Sequence, residues 1–95
     1  SGRPEALSVI RVEGDSMLPT LADGDNILVD TDDRERLRDG IYVLRTDDAL
    51  LVKRLDLARP GVVALVSDNP AYRTIELPPQ EVEVIGRVVW KSGRL

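Results

Sequence analysis

The 95-residue chain contains no histidine and no cysteine. Absence of cysteine excludes disulfides and thiolate metal sites. Absence of histidine removes the commonest general base and metal ligand, and with it every Ser-His or Cys-His nucleophile pair. Any covalent catalysis must therefore draw its base from another residue type. Aromatic residues are also scarce, with one Trp, two Tyr and no Phe. The core must be built from Val, Leu and Ile, which favour strands where they cluster. Lysine is rare too: only Lys53 and Lys91 occur, against eleven arginines. No apolar run approaches the length of a membrane span and no signal-peptide pattern opens the sequence, so no membrane contact is expected.

What is present fits one small soluble domain. Apolar residues make up 42% and charged residues 32%, too apolar for a disordered chain. The net charge is -4 with the two signs interspersed. That argues against the domain gripping nucleic acid directly, because phosphate binding needs a basic surface. Lack of cysteine fits a cytoplasmic location. Ser1-Gly2 reads as a cloning remnant and residues 1–6 as linker, with the domain spanning residues 7–95 and a longer protein extending on the N-terminal side.

Short runs of branched residues alternate with turn signals, the pattern of an all-β domain. Strands are expected at Leu7–Glu13, Asn26–Asp30, Ile41–Arg45, Leu50–Leu55, Val62–Val66, Tyr72–Leu77 and Val82–Lys91. Thr46-Asp47-Asp48 is a hairpin turn between the third and fourth, and Gly86 is a candidate bulge or bend in the last. Thr31 to Arg38 is the one candidate helical turn, although it carries a single apolar residue. Asp23-Gly24-Asp25 and Asp39-Gly40 suit turns. An EF-hand loop starting at Asp30 fails, because Glu35 stands where Gly is needed and Ile41 where Glu is needed. No metal and no cofactor is expected.

Two segments carry candidate chemistry. In Gly14-Asp15-Ser16-Met17-Leu18-Pro19-Thr20, Ser16 is either a turn residue or a nucleophile at the end of a strand. In Leu50-Leu51-Val52-Lys53-Arg54-Leu55, strand periodicity sets Lys53 between Leu51 and Leu55 on one face. A strand lysine is ordinarily an edge residue whose ammonium reaches water. One held among leucines is desolvated instead, which disfavours the charged form and lowers its pKa. Free lysine, titrating near 10.4, is almost wholly protonated at neutral pH, and each tenfold gain in the neutral fraction requires the ammonium to be destabilised by about 1.4 kcal/mol. A Ser-Lys pair is one of few nucleophile arrangements open to a chain without His or Cys.

The segment Gly14 to Leu21, followed by Asp23-Gly24-Asp25, resembles the nucleophile segment of the LexA-like and lambda-repressor-like C-terminal domains. Leu51-Val52-Lys53-Arg54-Leu55 is similar to that family's lysine strand, and Ser67-Asp68-Asn69-Pro70-Ala71-Tyr72 and Ile85-Gly86-Arg87-Val88-Val89 match later landmarks in order. The resemblance covers Val9 to Lys91. It implies a small, strongly bent, barrel-like sheet of the type shared with signal peptidases. It further implies the C-terminal domain of a cytoplasmic transcriptional repressor that dimerises as a homodimer and cuts its own interdomain linker, as in SOS-type regulation. Ser16 would be the nucleophile and neutral Lys53 the base, with the backbone N–H groups of Ser16 and Asp15 stabilising the oxyanion.

The implied partners are a second copy, the protein's own linker as substrate, and a RecA-like filament or antirepressor as trigger. DNA would be reached only through a helix-turn-helix domain outside this chain. One departure stands out: the family's scissile small-residue–Gly bond lies well upstream of the serine, and no Ala-Gly pair precedes Ser16 here. The alternatives are a dimerisation module that no longer cuts, with Trp90 on its pairing strand, and a signal-peptidase-like enzyme.

Overall fold

A computed structural model describes residues 4–47 and 49–92 of the chain. Seven strands form one antiparallel sheet: β1 Leu7–Arg11, β2 Asn26–Asp30, β3 Gly40–Thr46, β4 Ala49–Asp56, β5 Val63–Val66, β6 Ile75–Leu77 and β7 Glu83–Ser92. Their spatial order is β1-β2-β7-β3-β4-β5-β6. The last strand thus inserts between the second and third, and the all-β expectation holds. Two single 3₁₀ turns, Pro4–Ala6 and Pro79–Glu81, complete the regular structure among the described residues.

Residues 1–3 of the expected linker and residues 93–95 of the expected domain lie outside the described residues, as does Asp48 of the hairpin turn. Ala6, read as linker, is buried, and its carbonyl accepts from both the Thr31 amide (2.7 Å) and the Thr31 hydroxyl (2.8 Å).

Strand β3 has core on both sides. Val43 joins Val12, Met17, Leu21, Ile27 and Val29 in one buried cluster, while its neighbours Tyr42 and Leu44 join Leu55, Val63 and Leu65 in the other. This is the period of two expected of a strand. Full burial of each such aliphatic side chain stabilises the fold by about 1.5–3 kcal/mol. The sheet is also strongly curled. Ile10 on β1 and Val52 on β4 pack against the same cluster, although four strand steps separate them. In a flat sheet that separation would be about 19 Å. The curl leaves a groove of about 390 Å³ between β1 and β4, floored by Ile10, Val43, Leu50 and Val52 and flanked by Arg11 and Glu13.

Two sequence expectations need correction. Thr31 to Arg38 is not helical. With only Leu37 to bury, the segment gains nothing from an apolar helical stripe, and it is fixed instead by a two-pronged Arg38–Asp33 ion pair (3.0 and 2.7 Å). The strand expected from Tyr72 begins only at Ile75. Residues 69–72 are held as a turn, with the Tyr72 amide donating to the Asn69 carbonyl (3.1 Å) and the Ala71 amide to the Asn69 side chain (3.0 Å). An Asn that bonds its own backbone two residues on competes directly with a strand ladder.

Candidate active site

The nucleophile candidate sits on a loop tightly defined by its own side chains. β1 runs on through Val12, whose amide donates to the Asp25 carbonyl (2.8 Å). The Asp23 carboxylate accepts from the Gly14 amide (2.8 Å) and the Asp25 carboxylate from the Ala22 amide (2.8 Å). Gly24 lies at φ +88°, the left-handed region that a residue with a Cβ resists. Met17 and Leu21 plug this loop into the first core cluster, leaving Ser16 half-buried between Asp15 at the surface and Met17 in the core. The Leu18–Pro19 peptide that follows is cis.

Lys53 lies on β4 on the face expected, with Leu55 beside it fully buried. It is 9% exposed, so a lysine that strand statistics would place in water is almost dry. Its Nζ donates to the Ser67 hydroxyl at 2.7 Å, and the Tyr72 ring centroid lies 5.7 Å away. Burial pushes its amine below the ordinary lysine range. No carboxylate forms an ion pair with it among the described residues, so no opposite charge offsets that desolvation.

Ser16 and Lys53 are not hydrogen-bonded to each other in the structure. Both are fastened to the segment Ser67-Asp68-Asn69. From one side the Asn69 amide donates to the Ser16 carbonyl (3.0 Å), and the Asn69 side chain donates to the Asp15 carbonyl (3.0 Å). The Thr20 hydroxyl donates to Asp68 (2.5 Å) on the same side. From the other side come the Lys53–Ser67 bond and a bidentate pair between Arg54 and Asp68, 2.8 Å in both arms. Arg54, with the Thr20 hydroxyl adding to it, holds the Asp68 carboxyl below the ordinary carboxylate range. The loop after β5 is thus a common footing for the serine loop and the lysine strand.

The Asp15 and Ser16 amides, the expected oxyanion donors, give no hydrogen bond to a protein acceptor among the described residues.

Sequence reasoning missed Ser67 as the partner of Lys53. The β4–β5 register runs Arg54↔Val66, and one further step sets Ser67 opposite Lys53. The signal was there in the two strands around Pro60-Gly61, but register depends on loop geometry that residue types alone leave open.

The family model described as Peptidase S24-like matches residues 2–89. The chain is 44% identical over 73 residues to the 26 kDa repressor protein of Escherichia phage HK022, covering 76% of this chain and 31% of that protein. It is 38% identical over 91 residues to the LexA repressor of Paramagnetospirillum magneticum, covering 94% and 37% respectively. Against repressor protein CI of Enterobacteria phage phi80 it is 33% identical over 79 residues, covering 83% and 34%. It spans about a third of the length of each of these relatives.

Proposed function

The chain belongs to the Peptidase S24-like family, with repressors among its relatives, and from that premise we propose that it is the self-cleavage and dimerisation domain of a cytoplasmic transcriptional repressor, cutting its own interdomain linker with Ser16 and Lys53. The observation that carries this reading is the dry, carboxylate-free environment of Lys53, on the same short footing that holds Ser16. A neutral amine has two N–H donors and one lone pair. One N–H given to Ser67 leaves the lone pair free for the Ser16 proton.

In this reading Ser16 Oγ attacks the scissile carbonyl carbon while its proton passes to Lys53 Nζ. The tetrahedral oxyanion is met by the Asp15 and Ser16 amides, preorganised on a loop fixed by Asp23 and Asp25. The C–N bond then breaks, with Lys53 returning the proton to the leaving amine. Water, deprotonated by the same lysine, releases the acyl group from Ser16. Cutting would separate two DNA-binding heads that gain affinity for paired half-sites only while linked.

The test uses the longer protein that carries this domain. Self-cleavage is expected to quicken as pH rises through the lowered Lys53 titration and to level off above it, because only the neutral amine acts as a base. A flat profile, or unchanged cleavage in a Ser16→Ala protein, would count against the mechanism.

Two observations favour a second reading, a dimerisation module that does not cut. Lys53 is engaged by Ser67 rather than Ser16. Val89 and Trp90 near the end of β7 are 48% and 61% exposed, an apolar surface suited to a second copy. A longer protein that represses as a dimer and stays intact at every pH would establish this reading instead. The signal-peptidase alternative gains no support from the relatives given above, which are repressors.

A further inference from the structure

Tyr72 belongs to neither buried cluster, yet it touches both halves of the site. Its ring lies over Lys53 Nζ at 5.7 Å, and its hydroxyl donates to the Asp15 carboxylate, one residue before Ser16. The side chain is 46% exposed, so it is a cover with one face to water rather than a core residue. Its backbone is placed by the Asn69 turn, and Asn69 itself bonds the Asp15 and Ser16 carbonyls. Turn, ring and hydroxyl therefore close over the site together.

We propose that Tyr72 is a positioning residue for the Ser-Lys chemistry: its ring keeps water from the Lys53 amine and its hydroxyl clasps the nucleophile loop through Asp15. The inference rests on the proposed use of Lys53 as a base. Two effects of the ring oppose each other. An aromatic face attracts an ammonium, which favours the charged form. Covering the amine removes its water, which disfavours that form. Removal of water dominates here, because Lys53 is only 9% exposed while its hydrogen-bond partner, the Ser67 hydroxyl, carries no charge.

The other groups around the lysine do not reverse this. On β3, Tyr42 is its register partner, and the Tyr42 hydroxyl is turned to the Arg38 amide (3.2 Å) and Arg87 (3.3 Å). On β4, Arg54 is neutralised by Asp68, and after β5 Ser67 is uncharged. On the serine loop, the Asp15 carboxylate is held on the tyrosine hydroxyl that clasps it. Loss of the side chain would both admit water and release that carboxylate, and each change raises the lysine titration.

The experiment titrates Lys53 Nζ by heteronuclear NMR in the 95-residue chain with Tyr72, Tyr72→Phe and Tyr72→Ala. In Tyr72→Ala the midpoint is expected to rise by about one pH unit or more, whereas Tyr72→Phe, which keeps the ring and releases only the Asp15 carboxylate, raises it by less. In the longer protein, Tyr72→Phe is expected to slow self-cleavage about 2- to 13-fold, the range of one lost positioning hydrogen bond, and to displace its pH profile less than Tyr72→Ala does. Tyr72→Ala slows cleavage and displaces the profile to higher pH. An unmoved midpoint in Tyr72→Ala overturns the proposal, as does an equal rise in Tyr72→Phe. Continued cleavage by Ser16→Ala would sink the proposed function while leaving the NMR comparison decisive for Tyr72.

Discussion

Lys53→Met is expected to leave the longer protein uncut while making its domain no less stable. The side chain loses its terminal nitrogen, and with it the bond to the Ser67 hydroxyl, but keeps most of its volume, so the packing beside Leu55 is retained. The base is lost, and with it a rate factor on the order of 10²–10⁴. Stability responds the other way. A lysine whose titration is depressed by burial destabilises the folded state at every pH where it is charged in the unfolded chain and must be neutral or desolvated in the folded one. The penalty is full below the folded midpoint and fades as pH rises toward the unfolded value. Methionine carries no such penalty. Thermal unfolding at pH 6 and pH 10 measures this directly: the variant's advantage is expected at the lower pH and should shrink at the higher. A residue kept at a cost to stability and needed for reaction is the signature of a functional site. A marked loss of stability in Lys53→Met, with cleavage intact, would identify the lysine as structural.

Gly86→Ala is the substitution expected to damage the fold most. A methyl group at this position would lie 2.6 Å from the Asp30 carbonyl oxygen, 2.8 Å from a Val29 methyl and 3.0 Å from the Asp30 carbonyl carbon. Two of those three atoms are backbone of β2 and cannot swing aside. Gly86 is buried in β7, which is paired on both sides by β2 and β3. The register with β3 slips beside it, where Val43 pairs Gly86 but Leu44 pairs Val84, so that Ile85 is an extra residue. Such bulges bend the strand and increase its twist. Overpacking at a fixed backbone costs about 1–3 kcal/mol, and a sheet this small has little reserve. Denaturant unfolding is expected to show a lower midpoint with an unchanged slope. A midpoint equal to that of the unsubstituted chain would mean that β2 and β7 can part more readily than their pairing suggests.

Much of the sheet was legible because its punctuation is chemical. Asn26–Asp30 begins where the Gly24-Asp25 turn ends, and the strand has those bounds in the structure. The hairpin of β3 and β4 follows from the turn residues Thr46-Asp47-Asp48 between two apolar runs, and the face assigned to Lys53 follows from a period of two. Gly86 was marked as a bulge or bend, and the bulge lies beside it. The failures share a cause. Tyr72 and Arg73 fit a strand pattern by residue type, but the Asn69 side chain captured the backbone first. The hydroxyl under Lys53 required knowing a strand register, and the curl that brings β1 to β4 required knowing where β7 inserts. Local residue chemistry sets turns and faces, whereas strand order and register are decided by contacts distant in sequence.

The reactivity of Ser16 in the 95-residue chain tests the pairing without needing the linker it would cut. A small serine-directed fluorophosphonate should attach to Ser16, located by peptide mass spectrometry, at a rate that climbs as Lys53 loses its proton. In Lys53→Met the adduct should form at least about 10²-fold more slowly. Equal labelling with and without the lysine, or no adduct on Ser16 at any pH where the fold persists, would contradict the assignment of Lys53 as the base that activates Ser16.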